Sequence, residues 1–103
     1  MNIDELTGTA LSEAVAKALG WDRMWASIHS PVPDFAHSLD AWLTYCWLDL
    51  QARGWALWVI SDGPKGSEAV LNSYQLTLVR QRASTPSEAA CRAFLKARGG
   101  MNS

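Results

Sequence analysis

Two histidines, two cysteines and no long apolar run set the first limits on this 103-residue sequence. His29 and His37 stand eight residues apart across a proline-containing loop, with Asp34 between them. A structural or catalytic metal site needs more ligands at workable spacing than these supply, so no metal is expected. Cys46 and Cys91 fall on apolar faces of two different predicted helices and lack the flanking signatures of catalytic cysteines. They read as buried thiols acting as small hydrophobes, not as nucleophiles or a disulfide. No stretch reaches the ~18 uninterrupted apolar residues of a membrane span. The opening MNIDELTG has neither the basic nor the apolar region of a signal peptide, and a cytoplasmic protein is expected. A net charge of −1 argues against a general binder of nucleic acid or membrane surfaces. Gly63-Pro64-Lys65-Gly66-Ser67 has part of the composition of a phosphate-cradling loop. It lacks the spacing and precedes a strand, not a helix. No active-site constellation remains, and neither enzyme chemistry nor a cofactor is expected.

What the chain has in quantity is apolar residues, 49% of the total, and six tryptophans. That is enough for one core and one domain over residues 1–103. The most informative stretch is 38–62, which holds four of the six tryptophans. Ser38 is placed to cap a helix, Asp40 suits its positive end, and Arg53-Gly54 closes it. At helical spacing Leu39, Trp42, Leu43, Cys46 and Leu50 form one apolar face. Ala41, Tyr45, Leu48 and Ala52 form a second strip, so this helix is expected to be covered on two sides, by another helix or by a second copy of the chain. A strand follows over Trp55–Ile60. Strict alternation puts Trp55, Leu57 and Val59 on one side and Ala56, Trp58 and Ile60 on the other. Both sides are apolar, which predicts a central or doubly covered strand. Asp62-Gly63-Pro64 ends it in a turn.

Three further elements flank that unit. A first helix is capped at Thr7 or Thr9 and ends at Gly20, burying Leu11, Ala14, Val15, Ala18 and Leu19, with Ser12, Glu13 and Lys17 outward. Residues 21–37 make an irregular, proline-interrupted loop, pinned over the core by Trp21, Trp25 and Phe35. Residues 63–73 read as a polar connection, and a second strand begins between Val70 and Tyr74 and runs to about Arg82. The last helix opens on Thr85-Pro86-Ser87-Glu88, a capping box with proline at the first helical position. Ala90, Cys91, Phe94 and Leu95 face inward, Glu88, Arg92 and Lys96 line the outer side, and Gly99-Gly100 stops it. The resulting order is ααββα, an α+β fold with helices packed on a small antiparallel sheet.

Tryptophans that a small core struggles to hold are candidates for a binding surface, because aromatics anchor protein interfaces. Trp42 and Trp55 are assigned to packing. Trp47, Trp58 and Trp25 are the candidate anchors, and Trp47, beside the polar stripe of its helix, is expected to be the most exposed. Charge supplies the other candidates. Residues 1–62 hold eight Asp/Glu against three Lys/Arg, whereas residues 80–103 hold five Lys/Arg and only Glu88. Arg80, Arg82 and Arg92 could meet an acidic protein partner. Alternatively, they could converge with tryptophan faces on a nucleotide-like anion.

Three segments share a resemblance. MNIDELTGTALSEAVAKALGW resembles the N-terminus of small proteins of the phage ABA-sandwich domain family, where a capped helix with a V-A centre runs into a G-W exit. PDFAHSLDAW, with Phe35, Leu39, Ala41 and Trp42, is similar to that family's aromatic-Ser-x-x-Ile-x-x-A-W helix entry. ASTPSEAACRAFLKARG is similar to its T-P-x-x-A-I-C-R-A-x-L closing helix through Thr85, Pro86, Ala89, Cys91, Arg92, Ala93 and Leu95. The resemblance implies an ABA-type sandwich in a phage or prophage protein, with no catalytic residues to carry over. It also implies a host bacterial protein or protein complex as partner, with an inhibitor of a defence system, such as an anti-CRISPR, as the specific expectation.

Overall fold

In the computed structural model, which describes residues 3–20 and 34–98, helices pack against a three-stranded antiparallel sheet. A single 3-10 turn, Ile3–Glu5, leads into α1 (Gly8–Ala18). Helix α2 (39–52) is built of three consecutive segments, Leu39–Ala41, the π-helical Trp42–Trp47, and Leu48–Ala52. Strands β1 (Trp55–Gly63), β2 (Gly66–Ser73) and β3 (Leu78–Ala83) follow, then α3 (Pro86–Arg98). The α+β class and antiparallel sheet are those read from the sequence, with one strand more. Trp21, Trp25, His29 and the Gly99-Gly100 stop lie outside the described residues.

The extra strand comes from the stretch read as a polar connection. Pro64-Lys65 turn the chain, Gly63 pairs with Gly66, and 66–73 run back beside β1. Gly66 has φ +117, and a Cβ there would lie 2.9 Å from the Ala83 carbonyl oxygen, so this corner needs glycine. Strand β2 is therefore central, and β1, expected there, is one edge. The buried residues of β2 are Ser67, Ala69 and Leu71, and α3 presents Ala89, Ala90 and Ala93, all fully buried. Small side chains on both surfaces let helix and sheet approach closely.

The core lies between the sheet and the helices. Its largest fully buried side chains include Trp42, Phe35, Phe94, Leu11, Leu50 and Leu71. The organising element is α3, which packs on all three strands and on α1 and α2. Its start follows the capping reading in part. Thr85 Oγ1 accepts from Glu88 N–H at 3.2 Å, but the Glu88 carboxylate does not return to its own cap. It is buried, not outward, and accepts from the N–H of Gly8 at 3.5 Å. Thr7 makes no side-chain cap on α1 and that helix has no acid in its first turn, so Glu88 supplies both from across the chain. Gly8 itself has φ +54, a left-handed entry that suits glycine.

Ser12, expected outward, is buried too. Its Oγ accepts from Ala36 N–H at 3.0 Å and lies 3.4 Å from Asp34 Oδ1. The Cys91 thiol donates to the Phe35 carbonyl at 3.1 Å. Together α1 and α3 hold the 34–37 turn, and Phe35 is fully buried as anticipated.

Candidate interaction surface

Alternation in β1 fails at its first step. A bulge between Trp55 and Leu57 leaves Ala56 without a partner, since Trp55 pairs with Ser73 and Leu57 with Asn72. One extra residue reverses the parity of every later position in the strand. Trp55 thus shares the core face with Trp58 and Ile60, while Leu57 and Val59 are on the opposite side. That opposite face is open, which corrects the expectation of a doubly covered strand. Leu57 is 52% exposed, Val59 50% and Leu78 51%.

Across the open face the register gives three rows: Leu57–Asn72–Leu78, Val59–Val70–Arg80 and Ser61–Glu68–Arg82. The first is apolar at both ends and the last is polar or charged throughout. The β2–β3 turn lies beyond the apolar row. It is built by Ser73, whose N–H bonds the Thr77 carbonyl and whose Oγ accepts from the N–H groups of Gln75 and Thr77. Tyr74 and Leu76 project from it, 78% and 90% exposed, and Leu76 has φ +66. A bulky residue there costs roughly 1–2 kcal/mol relative to ordinary backbone, and it also leaves a large apolar side chain in water. At the charged end, Glu68 lies 3.8 Å from Arg80. A shallow open depression of about 310 Å³ there is lined by Asp62, Lys65, Glu68 and Arg82 among others.

The described residues among those singled out from sequence do not gather in one place. Arg80 and Arg82 are exposed on the open face. Arg92 is half-buried and donates from Nη1 to the Arg82 carbonyl at 2.9 Å and from Nη2 to the Leu6 carbonyl at 3.0 Å. It ties the N-terminal turn and β3 to α3. Trp58 is half-buried on the core face, edge-on to Trp42 with centroids 6.3 Å apart. Trp47, expected to be the most exposed, is half-buried and stacks on Trp42 at 6.4 Å with planes 19° apart. The π-helical segment explains this. Its i→i+5 bonding widens the turn and sets residue 47 over residue 42, where an α-helix would have turned it toward the polar stripe. Of the strip expected to be covered, Tyr45 is 41% exposed and packs edge-on to Phe35, and Leu48 is 60% exposed. No tryptophan lines the depression that holds Lys65 and Arg82.

Sequence reasoning missed Leu57, Val59, Tyr74, Leu76 and Leu78 as surface residues. They were hidden by the bulge and by a turn with no Gly, Pro, Asn or Asp among residues 74–77.

Other chemistry is limited among the described residues. His37 Nδ1 pairs with Asp34 at 3.0 Å, both well exposed. No group of three or more His, Cys, Asp or Glu able to hold a metal ion is found there. Burial pushes both thiols far above the ordinary range, Cys46 further by Cys91 and Asp49, and Cys91 further by Glu88 and Asp34. Neither is a thiolate at neutral pH. No helix among the described residues is long and apolar enough to cross a membrane. No protein-family model, curated protein or solved structure matches this chain.

Proposed function

We propose that the protein is a non-enzymatic binding module that docks on a partner protein through the open face of its sheet. The observation that carries this reading is the group of exposed apolar side chains at one end of that face, Leu57, Val59, Leu78, Tyr74 and Leu76. Contiguous exposed apolar residues mark interaction sites, and strained backbone persists where the surroundings or a function maintain it. Arg80 and Arg82 flank the apolar rows and favour a partner whose surface is acidic beside an apolar projection. The resemblance to phage ABA-sandwich proteins supports a bacterial host complex as that partner, with a defence system, such as one built on CRISPR, as the first class to test. The alternative reading, a nucleotide-like anion held by tryptophans and arginines, has less support, because Trp47 and Trp58 lie on the core side and Arg80 and Arg82 on the other.

The test is affinity capture from bacterial cells expressing the tagged protein. Wild type is expected to retain a stoichiometric protein partner, and Leu78→Lys, on the open face, is expected to lose it while remaining folded. Recovery of no partner at any salt concentration, or equal recovery by Leu78→Lys, overturns the reading.

A further inference from the structure

The two edges of the sheet are built differently. Strand β3, at one edge, is six residues long and carries Arg80 and Arg82 at alternate positions. Short length and regularly placed charge are the devices that keep an edge from pairing with another chain. Strand β1, at the other edge, is nine residues long, and residues 55–61, Trp-Ala-Leu-Trp-Val-Ile-Ser, contain no charge and no proline. Its one irregularity, the bulge, falls at the first pair, and from Leu57 to Gly63 the register with β2 is regular. Among the described residues nothing pairs with the other side of β1.

We propose that β1 pairs with β1 of a second copy of this chain, antiparallel and in full overlap, to form a continuous six-stranded sheet. Two features favour self-pairing over a foreign strand. The first is charge. The midpoint of 55–63 is Val59, so in a two-fold arrangement Val59 faces its own counterpart, Leu57 faces Ser61 of the other copy, and Asp62 faces Ala56 of the other copy. No like charges oppose one another, so the register carries none of the repulsion that discourages an unwanted pair. The second is incomplete burial on the core side. Trp58 and Ile60 point toward the core, yet both stay half-buried because the core ends at this edge. In the full-overlap register Trp58 of each copy faces Ile60 of the other, so each completes the other's cover and the two cores join. The open faces also merge along Leu57 and Val59, leaving Leu78, Tyr74 and Leu76 free at both ends. This inference stands apart from the docking reading, and either one survives failure of the other.

Sedimentation equilibrium of the whole chain tests it. Wild type is expected to be a dimer at micromolar concentration. Val59→Lys sets two lysines against each other at the two-fold centre and is expected to weaken the dimer at least about tenfold. Val59→Glu alone is expected to do the same, and an equimolar mixture of the two variants is expected to recover a heterodimer. Leu78→Lys, on the far strand, leaves the dimer unchanged. Circular dichroism checks that each variant is folded. A wild type that stays monomeric at ~100 μM overturns the proposal. So does a dimer that Val59→Lys leaves intact, or variants that fail to recover association on mixing.

Discussion

Arg98 lies with its Nε 3.0 Å from Asp49 Oδ2 and donates from Nη2 to the Ala18 carbonyl, so one side chain joins the ends of α1, α2 and α3. Its approach to Asp49 is an ion pair that lacks the alignment of a hydrogen bond. Arg53 Nε donates to the same carboxylate oxygen at 3.1 Å. Both Asp49 and Arg98 are about four-fifths buried, which separates this pair from the exposed ion pairs that contribute little.

Arg98→Ala is therefore expected to destabilise the fold by roughly 1.5–3 kcal/mol, the usual range for hydrogen bonds to a charged group. Arg98→Lys is expected to recover less than half of that, since an ammonium cannot span a carbonyl and a carboxylate with the guanidinium's fixed fork. Urea denaturation midpoints of the three proteins decide it. A loss below ~0.5 kcal/mol would mean the helices are held by α3 packing alone.

Leu76 predicts the opposite sign. Leu76→Gly or Leu76→Asn relieves the left-handed backbone, and after the entropy that glycine loses on folding, stability is expected to rise by about 0.5–1 kcal/mol. Capture of a protein partner should fall at the same time. Thermal melting run beside the capture assay tests both. If either substitution costs as much as a core truncation, the Leu76 side chain is packed in the working state and the strain argument fails.

The tryptophan stack joins two residues that the sequence ranks in the right order of exposure, although Trp47 is half-buried and not open. Trp42→Ala removes a fully buried ring and is expected to cost about 3–5 kcal/mol, against a total stability of order 5–15 kcal/mol. Trp47→Ala removes a half-buried partner of that stack and is expected to cost about 1–2 kcal/mol. Equal melting temperatures for Trp47→Ala and wild type would show that the π-helical turn does not hold the stack in solution.

Alkaline pH is expected to weaken the fold through its thiols. In the unfolded chain both lose their protons above pH ~8.5, whereas burial keeps Cys46 and Cys91 protonated in the folded one. The unfolded state then binds fewer protons, so stability is intact below pH ~8.5 and declines as the pH rises beyond it. Between pH 8 and pH 10 the decline is roughly 2 kcal/mol per thiol, from about 1.4 kcal/mol per pH unit. Cys46→Ala should halve the pH dependence whatever it does to the stability at neutral pH. A profile that is flat to pH 10 contradicts the assignment.

The parts of this fold legible in the sequence are those written in neighbouring residues. Ser38 caps α2 by accepting from Ala41 N–H, Pro86 opens α3, and the buried Leu11 and Val15 of α1 and Ala90, Cys91, Phe94 and Leu95 of α3 follow their spacing. The parts that were not legible depend on an irregular step or on a distant partner. Strand β2 hid behind Ser67 and Glu68, because its core face is made small for α3 and the 74–77 turn that follows it carries no marker residue. Glu88 looked like an outer residue until α1 supplied a helix end for it to cap. The open face, and with it the candidate site, depended on a bulge and on a left-handed leucine, and neither leaves a compositional trace.

Side-chain placement along a strand is a binary code, and Ala56 is a one-place shift in it. Everything from Leu57 onward is read in the phase opposite to Trp55. Deleting Ala56 would leave Trp55 opposite Ser73 and Leu57 opposite Asn72 in an unbroken ladder, with Trp55, Trp58 and Ile60 still on the core face and Leu57 and Val59 still on the open one. Closing the bulge with Ala56 retained is what would send Leu57 and Val59 toward the helices and Trp58 and Ile60 into water. Substitution or deletion of Ala56 should be tolerated, whereas a single-residue insertion or deletion between Trp58 and Ile60, inside the regular ladder, should reverse the faces on one side of it and unfold the sheet.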